Sequence, residues 1–151
     1  MSSGLKFKRI VVAFDGSKDA VKAVQVAGAL AKEFGSELVV VHAYSVPAFA
    51  YAGMPGAPVP NSPDLEGLSK QSGKSVLAKG LLVAKNSGVD AKGELLESTS
   101  TVQALVEFSE TEKADLVVLG TRGMTGFKRM VMGSVSSGVV EHAHCPVLVV
   151  R

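Results

Sequence analysis

The sequence predicts an α/β fold, an open parallel sheet with helices on both faces. Three observations predict it. Short apolar runs alternate with helical patterns in the order β-α-β-α-β-α-β-α-β. Several of the runs are almost uninterrupted Val, Leu and Ile, the composition of strands buried on both faces. Aromatic residues make up only 5% of the chain and Trp is absent, so Val-rich strands and Ala-rich helices must build the core.

The expected strands are Arg9–Phe14, Glu37–Ala43, Asp90–Leu96, Asp115–Leu119 and Pro146–Val150. Ala20, Val24, Ala27, Ala31 and Phe34 recur at helical spacing and form one inward face. Ser17 stands where a helix is capped, and Gly35 where one stops. A second helix is expected from about Asp64 to Asn86, carrying Leu65, Leu68, Val76, Leu77, Leu81 and Ala84 before Gly88. A third runs from about Thr101 to Glu112 with Val102, Leu105, Val106 and Phe108. A fourth begins near Gly133-Ser134 and carries Val135, Val139, Val140 and Ala143. Ser45–Pro63 breaks the pattern with five prolines and two glycines, which excludes a continuous helix or central strand. It reads as a surface excursion or as a lid, since it leaves the end of a strand where such sheets bind ligands.

At 151 residues, the chain is expected to fold as a single domain spanning 1–151. Lys+Arg 16 against Asp+Glu 14 gives a net charge of +2, which offers no broad basic face for nucleic acid. Cys145 is the single cysteine, so no disulfide forms within the chain. The apolar run Ile10–Phe14 is too short for a signal peptide, and no run approaches the roughly 20 residues of a membrane span. These features predict a cytoplasmic protein without membrane contact.

The segment Gly120–Ser134 carries the strongest functional signal. It joins the fourth strand to the last helix and holds glycines at 120, 123, 126 and 133. In an open parallel sheet, ligands bind at the carboxyl ends of strands where the strand order reverses. Successive main-chain N–H groups in tight turns form an anion-binding concavity, and a helix start adds unsatisfied N–H groups. Arg122, Lys128 and Arg129 bring positive charge with no Asp or Glu beside them. Everything in the segment suits a polyphosphate. Asp15 ends the first strand before Gly16 and Ser17. It fits either a turn aspartate or a carboxylate facing the same crevice, where it would meet ribose hydroxyls or Mg²⁺. The main chain of Ala43 is placed to read a base edge. His42, within a Val-rich run, reads as a satisfied core histidine.

Other signals fail on inspection. Gly73-Lys74-Ser75 ends like a P-loop, but Leu68 stands where that motif requires glycine. No G-x-G-x-x-G follows the first strand. His142, His144 and Cys145 lie too close in sequence to converge readily on a metal ion.

The chain resembles the universal stress protein family over nearly its whole length. The resemblance rests on KRIVVAFDGS, LVVVHAY, ADLVVLGTRG and MGSVSSGVVEHAHCPVLVV. ATP-binding members of that family carry G-x2-G-x9-G-[ST], and Gly120, Gly123, Gly133 and Ser134 satisfy that spacing. The resemblance implies a Rossmann-like sheet of strand order 3-2-1-4-5, with Asp15 and Gly120 facing across the switch point. It implies that the main chain at Ala13, Phe14 and Ala43 contacts adenine and that Asp15 lies by the nucleoside. The phosphates would be held by Gly120, Thr121, Arg122 and Gly123 and by the helix start Gly133, Ser134, Val135 and Ser136. A Gly-x-Pro often precedes the third helix in the family, where Glu97-Ser98-Thr99 stands here. Members are usually dimers, and the edge strand Val147, Leu148, Val149, Val150 would pair two copies.

These readings predict an ATP-binding stress-response regulator that works as a homodimer. A slow Mg²⁺-dependent ATP hydrolase and an interaction module without nucleotide remain as alternatives. ATP and Mg²⁺ are the expected cofactors.

Overall fold

The computed structural model describes residues 6–45, 62–121 and 132–151. The elements are β1 (Arg9–Ala13), α1 (Lys18–Phe34), β2 (Glu37–Tyr44), α2 (Ser62–Asn86), β3 (Lys92–Glu97), α3 (Thr101–Thr111), β4 (Leu116–Gly120), α4 (Ser134–His142) and β5 (Val147–Val150). All strands are parallel in one sheet of order β3-β2-β1-β4-β5.

Alternation along the strands explains why the sheet is buried twice over. Ile10, Val12, Leu38, Val40, Leu116 and Val118 face one way and pack with α1 and α2. Val11, Val39, Val41, Val117 and Leu119 face the other way and pack with α3 and α4. Successive side chains of a strand point to opposite faces, so a central strand must be apolar at every position. This is the physical origin of the uninterrupted Val runs. β3 is an edge strand, and Lys92, Gly93 and Glu94 are exposed. Its apolar signal is correspondingly thin, and it spans Lys92–Glu97 rather than the expected Asp90–Leu96.

α1 starts where Ser17 Oγ accepts the Ala20 N–H at 3.1 Å and stops at Gly35 in the left-handed region. Its inward face is Ala20, Ala23, Val24, Ala27 and Ala31. Phe34 departs from the expected inward face. It is nearly half exposed and meets the Phe7 ring edge-on at 5.2 Å. α2 begins at Ser62, so Pro63 belongs to its first turn, where the missing N–H costs no helical hydrogen bond. Residues 46–61 of the proline-rich segment lie outside the described residues. A helix of 25 residues extends about 37 Å, against about 26 Å for the longest strand of 8. α2 therefore overshoots the sheet. Gly73 meets Tyr44 and Leu95 near the strand ends, and Leu68, more than a turn earlier, is 68% exposed instead of buried. Val140, expected inward on α4, is also exposed. No described helix is long and apolar enough to cross a membrane.

Polar contacts close the end of the sheet away from the strand C-termini. Asp115, expected to open β4, instead accepts the main-chain N–H groups of Lys8 and Arg9 at 2.8 and 2.9 Å. Glu37 pairs with Lys92 at 2.6 Å and with Arg9 at 3.0 Å. These hydrogen bonds, Lys92 first, hold the Glu37 carboxyl below its ordinary value of 4.5. A carboxylate with a lowered folded-state pKa contributes stability that is complete above its unfolded value and fades as pH falls through the folded one. Thermal unfolding measured from about pH 6 to pH 3 should show a steeper acid loss in the wild type than in Glu37→Gln. Parallel acid limbs would show that the cluster contributes nothing, and added salt should shrink the difference.

Candidate functional site

The C-terminal ends of β1 and β4 border a cavity of about 530 Å³. β1 is followed by α1 on one face and β4 by α4 on the other, so neither connection covers the gap between them. Ala13, Phe14, Val41, Leu105 and Leu119 give it apolar walls. Asp15, Gly120, Thr121, Gly133, Ser134, Val135, Ser136 and Ala43 also line it. The expected site residues within the described regions thus all reach one cavity. Arg122, Gly123, Gly126, Lys128 and Arg129 lie outside the described residues. The walls further include Ser17, Ala20, His42, Thr101 and Met132. The sequence pattern marks Thr101 only as a helix start and gives Met132 no signal of its own.

Asp15 takes the turn geometry. Its Oδ1 accepts the Ser17 N–H at 2.9 Å, and Gly16 follows with φ 86°. That left-handed backbone favours glycine, which has no Cβ to clash there. Asp15 also lines the cavity, so the turn role does not remove it from the wall.

Gly120 is required by packing. A Cβ there would sit 2.7 Å from Asp19 Cβ and 2.9 Å from the Asp19 carbonyl carbon. The glycine lets β4 end against the first turn of α1, a role separate from approach to a ligand. Beside it, Thr121 ties three elements together. Its hydroxyl donates to Asp19 Oδ2 at 2.8 Å, and its N–H donates to the Val150 carbonyl at 2.9 Å. Its carbonyl accepts the Gly133 N–H at 2.6 Å, and the buried Ser136 hydroxyl lies between it at 3.1 Å and the Gly133 carbonyl at 3.0 Å. The chain therefore leaves and re-enters the site at one hydrogen-bonded point. Asp19 escaped sequence reasoning because its partner is 102 residues away.

Three helix N-termini reach the cavity, and they differ. Ser17 caps α1, and Ser100 caps α3 by accepting the Gln103 N–H at 3.2 Å. α4 starts at Gly133, which offers no side-chain cap. The first intrahelical bond there is Ser137 N–H to the Gly133 carbonyl at 2.9 Å. The N–H groups of Ser134, Val135 and Ser136 precede it and have no acceptor among the described residues. Such groups carry the positive end of the helix dipole.

A donor–acceptor edge lies at the other end. In a parallel ladder, a residue turns its N–H and C=O to the same neighbour, and successive residues alternate. Phe14 N–H donates to the Val41 carbonyl at 2.8 Å, and Ser98 N–H donates to the Tyr44 carbonyl at 3.0 Å. Val41 and Ala43 therefore face the β1 side, and Tyr44 faces β3. β1 has ended by Ala43, whose N–H and C=O have no partner among the described residues. His42 is satisfied as expected, with Nδ1 2.8 Å from the Phe14 carbonyl, but it is half-buried at the cavity wall rather than in the core.

The candidate ligands outside this site are engaged elsewhere. His142 Nδ1 bonds the Gly138 carbonyl at 2.9 Å, and His144 lies 3.5 Å from Glu110. Burial raises the Cys145 thiol pKa. No group of three or more His, Cys, Asp or Glu suited to a metal occurs among the described residues.

A sequence profile described as the universal stress protein family matches residues 6–151. A universal stress protein of Methanocaldococcus jannaschii is 39% identical over 146 residues, covering 96% of this chain and 82% of that protein. The solved structure of the universal stress protein UspA from Lactobacillus plantarum superposes with TM-score 0.79 at 25% identity, covering 98% of this chain and 100% of that one. A universal stress protein solved in complex with cAMP superposes with TM-score 0.68 at 28% identity, covering 97% and 98%.

Gly120→Ala should lower stability by about 1–3 kcal/mol, because the Asp19 backbone must move to admit the methyl group. Denaturant unfolding at wild-type midpoint would show that the β4–α1 contact is loose.

Proposed function

The chain belongs to the universal stress protein family, and we propose that it is an adenine-nucleotide-binding regulator of the stress response whose preferred ligand is ATP. The observation that carries the reading is the uncapped start of α4 beside an apolar cavity with a main-chain edge at Ala43. Phosphates go to the N–H groups of Ser134, Val135 and Ser136, because the starts of α1 and α3 already have side-chain caps. Adenine goes to the apolar end, where Ala43 offers one donor and one acceptor. The ribose falls between them, near Asp15. Arg122 and Gly123 complete the phosphate end in this proposal. The relative solved with cAMP supports an adenine nucleotide as the ligand class.

Mg²⁺ suits this cavity as a companion of the phosphates. It keeps several waters and takes one or two carboxylates together with phosphate oxygens. Asp15 is the carboxylate in the described wall, and its Oδ1 is engaged by Ser17, which leaves Oδ2 to face the ion. Different affinities for ATP and ADP would then shift the balance of conformations or assembly, which is what a switch requires.

Calorimetric titration should find ATP bound more tightly than AMP, with an advantage that falls as salt rises. Asp15→Asn, which keeps the turn acceptor, should bring the affinity with Mg²⁺ close to that without it. No heat with any adenine nucleotide at about millimolar concentration would sink the reading.

The proposal includes assembly through β5. Val117 N–H donates to the Pro146 carbonyl and Thr121 N–H to the Val150 carbonyl, so Val147 and Val149 turn their N–H groups to the free edge. A second copy pairs there antiparallel about a two-fold axis. Val149→Pro removes one outward donor and leaves the β4–β5 ladder intact. Sedimentation should show a dimer for the wild type and a folded monomer for the variant. An unchanged dimer would place the interface elsewhere.

A further inference from the structure

The end of β1 leaves one ladder bond unmade. After Phe14 N–H to the Val41 carbonyl, the next bond in the pattern runs from the Ala43 N–H to the Phe14 carbonyl. That bond is not formed among the described residues. The Phe14 carbonyl instead faces His42 Nδ1 at 2.8 Å. A carbonyl only accepts, so Nδ1 carries the proton.

We propose that His42 is a positioning residue for base recognition. Its imidazole takes the hydrogen bond at the Phe14 carbonyl in place of the Ala43 N–H and holds the end of β1 where the ladder does not close, which leaves the Ala43 edge open to a ligand. This inference rests on the adenine-nucleotide reading and deepens it. Adenine presents a ring-nitrogen acceptor beside an amino donor, which complements a free N–H beside a free C=O. Guanine places a carbonyl where adenine has the amino group, which sets two acceptors against each other. The histidine acts through Phe14 and Ala43, and its effect therefore falls on base choice rather than on phosphate affinity.

Two substitutions separate this role from simple packing. Phe at position 42 fills similar space without the donor. Asn places an amide N–H near the position of Nδ1. His42→Phe should lose about tenfold in ATP affinity and narrow the ATP-over-GTP ratio by a similar factor, the size of one net hydrogen bond. His42→Asn should stay within about threefold of wild type on both measures. Unchanged affinity and base preference in folded His42→Phe would overturn the proposal. So would a folded His42→Asn that falls as far as the Phe variant.

A measurement on the unmodified chain covers the case in which His42→Phe fails to fold. Amide hydrogen exchange by NMR should find Ala43 fast in the free protein and protected once ATP is added. Protection of Ala43 in the free protein would overturn the proposal. Wild-type chain that binds neither ATP nor GTP overturns the functional reading itself. ATP binding with no response to His42→Phe overturns only the role of His42.

Discussion

The handedness of the connections between parallel strands is the constraint on which the rest depends. A strand–helix–strand unit is right-handed in nearly all proteins. Growing the sheet from β1 toward β3 therefore puts α1 and α2 on one face. Growing it from β1 through β4 toward β5 puts α3 and α4 on the other. The two directions part between β1 and β4, and the connections leave those two strands on opposite faces. A crevice at their C-terminal ends is the geometric consequence. Nothing in the local sequence of β1 or β4 creates it.

Main-chain polarity then sets what the crevice can hold. The buried sheet satisfies its own hydrogen bonds, and Ser17 and Ser100 cap two of the three helix starts around the cavity. Among the described residues around the cavity, what remains unsatisfied is a pair of features at opposite ends, the Ala43 edge and the start of α4. Thr121 ties the start of α4 to the rest of the molecule. It bonds α1 through Asp19, β5 through Val150 and the entry to α4 through Gly133 and Ser136. A change at the start of α4 is thereby joined by one residue to the edge strand proposed to pair two copies.

Much of this was legible in the residues. Val-rich β1, β2 and β4 announced a sheet buried on both faces, and Ser17 and Gly35 marked the ends of α1. The glycine spacing from Gly120 to Ser134 identified the strand–helix junction that borders the cavity. What escaped has physical reasons. β3 is a solvated edge, so its apolar pattern is weak and its start shifted by two residues. Leu68 fits a helical stripe, but the stripe continues past the end of the sheet it would pack on. Asp19 and Thr121 pair across the fold, beyond the reach of local pattern. The packing role of Gly120 against the first turn of α1 has no local signature, because Asp19 lies about a hundred residues earlier in the chain. His42 was placed in the core because its neighbours are apolar, and only the end of β1 explains why it sits at the cavity wall.

A crystal structure of the chain grown with ATP and Mg²⁺ tests the central claim most directly. The account predicts the base against the main chain of Ala43 and the phosphates on the N–H groups of Ser134, Val135 and Ser136, with Asp15 beside the nucleoside. Phosphates bound at the start of α1 or α3, or a nucleotide lying outside the β1–β4 crevice, would contradict it.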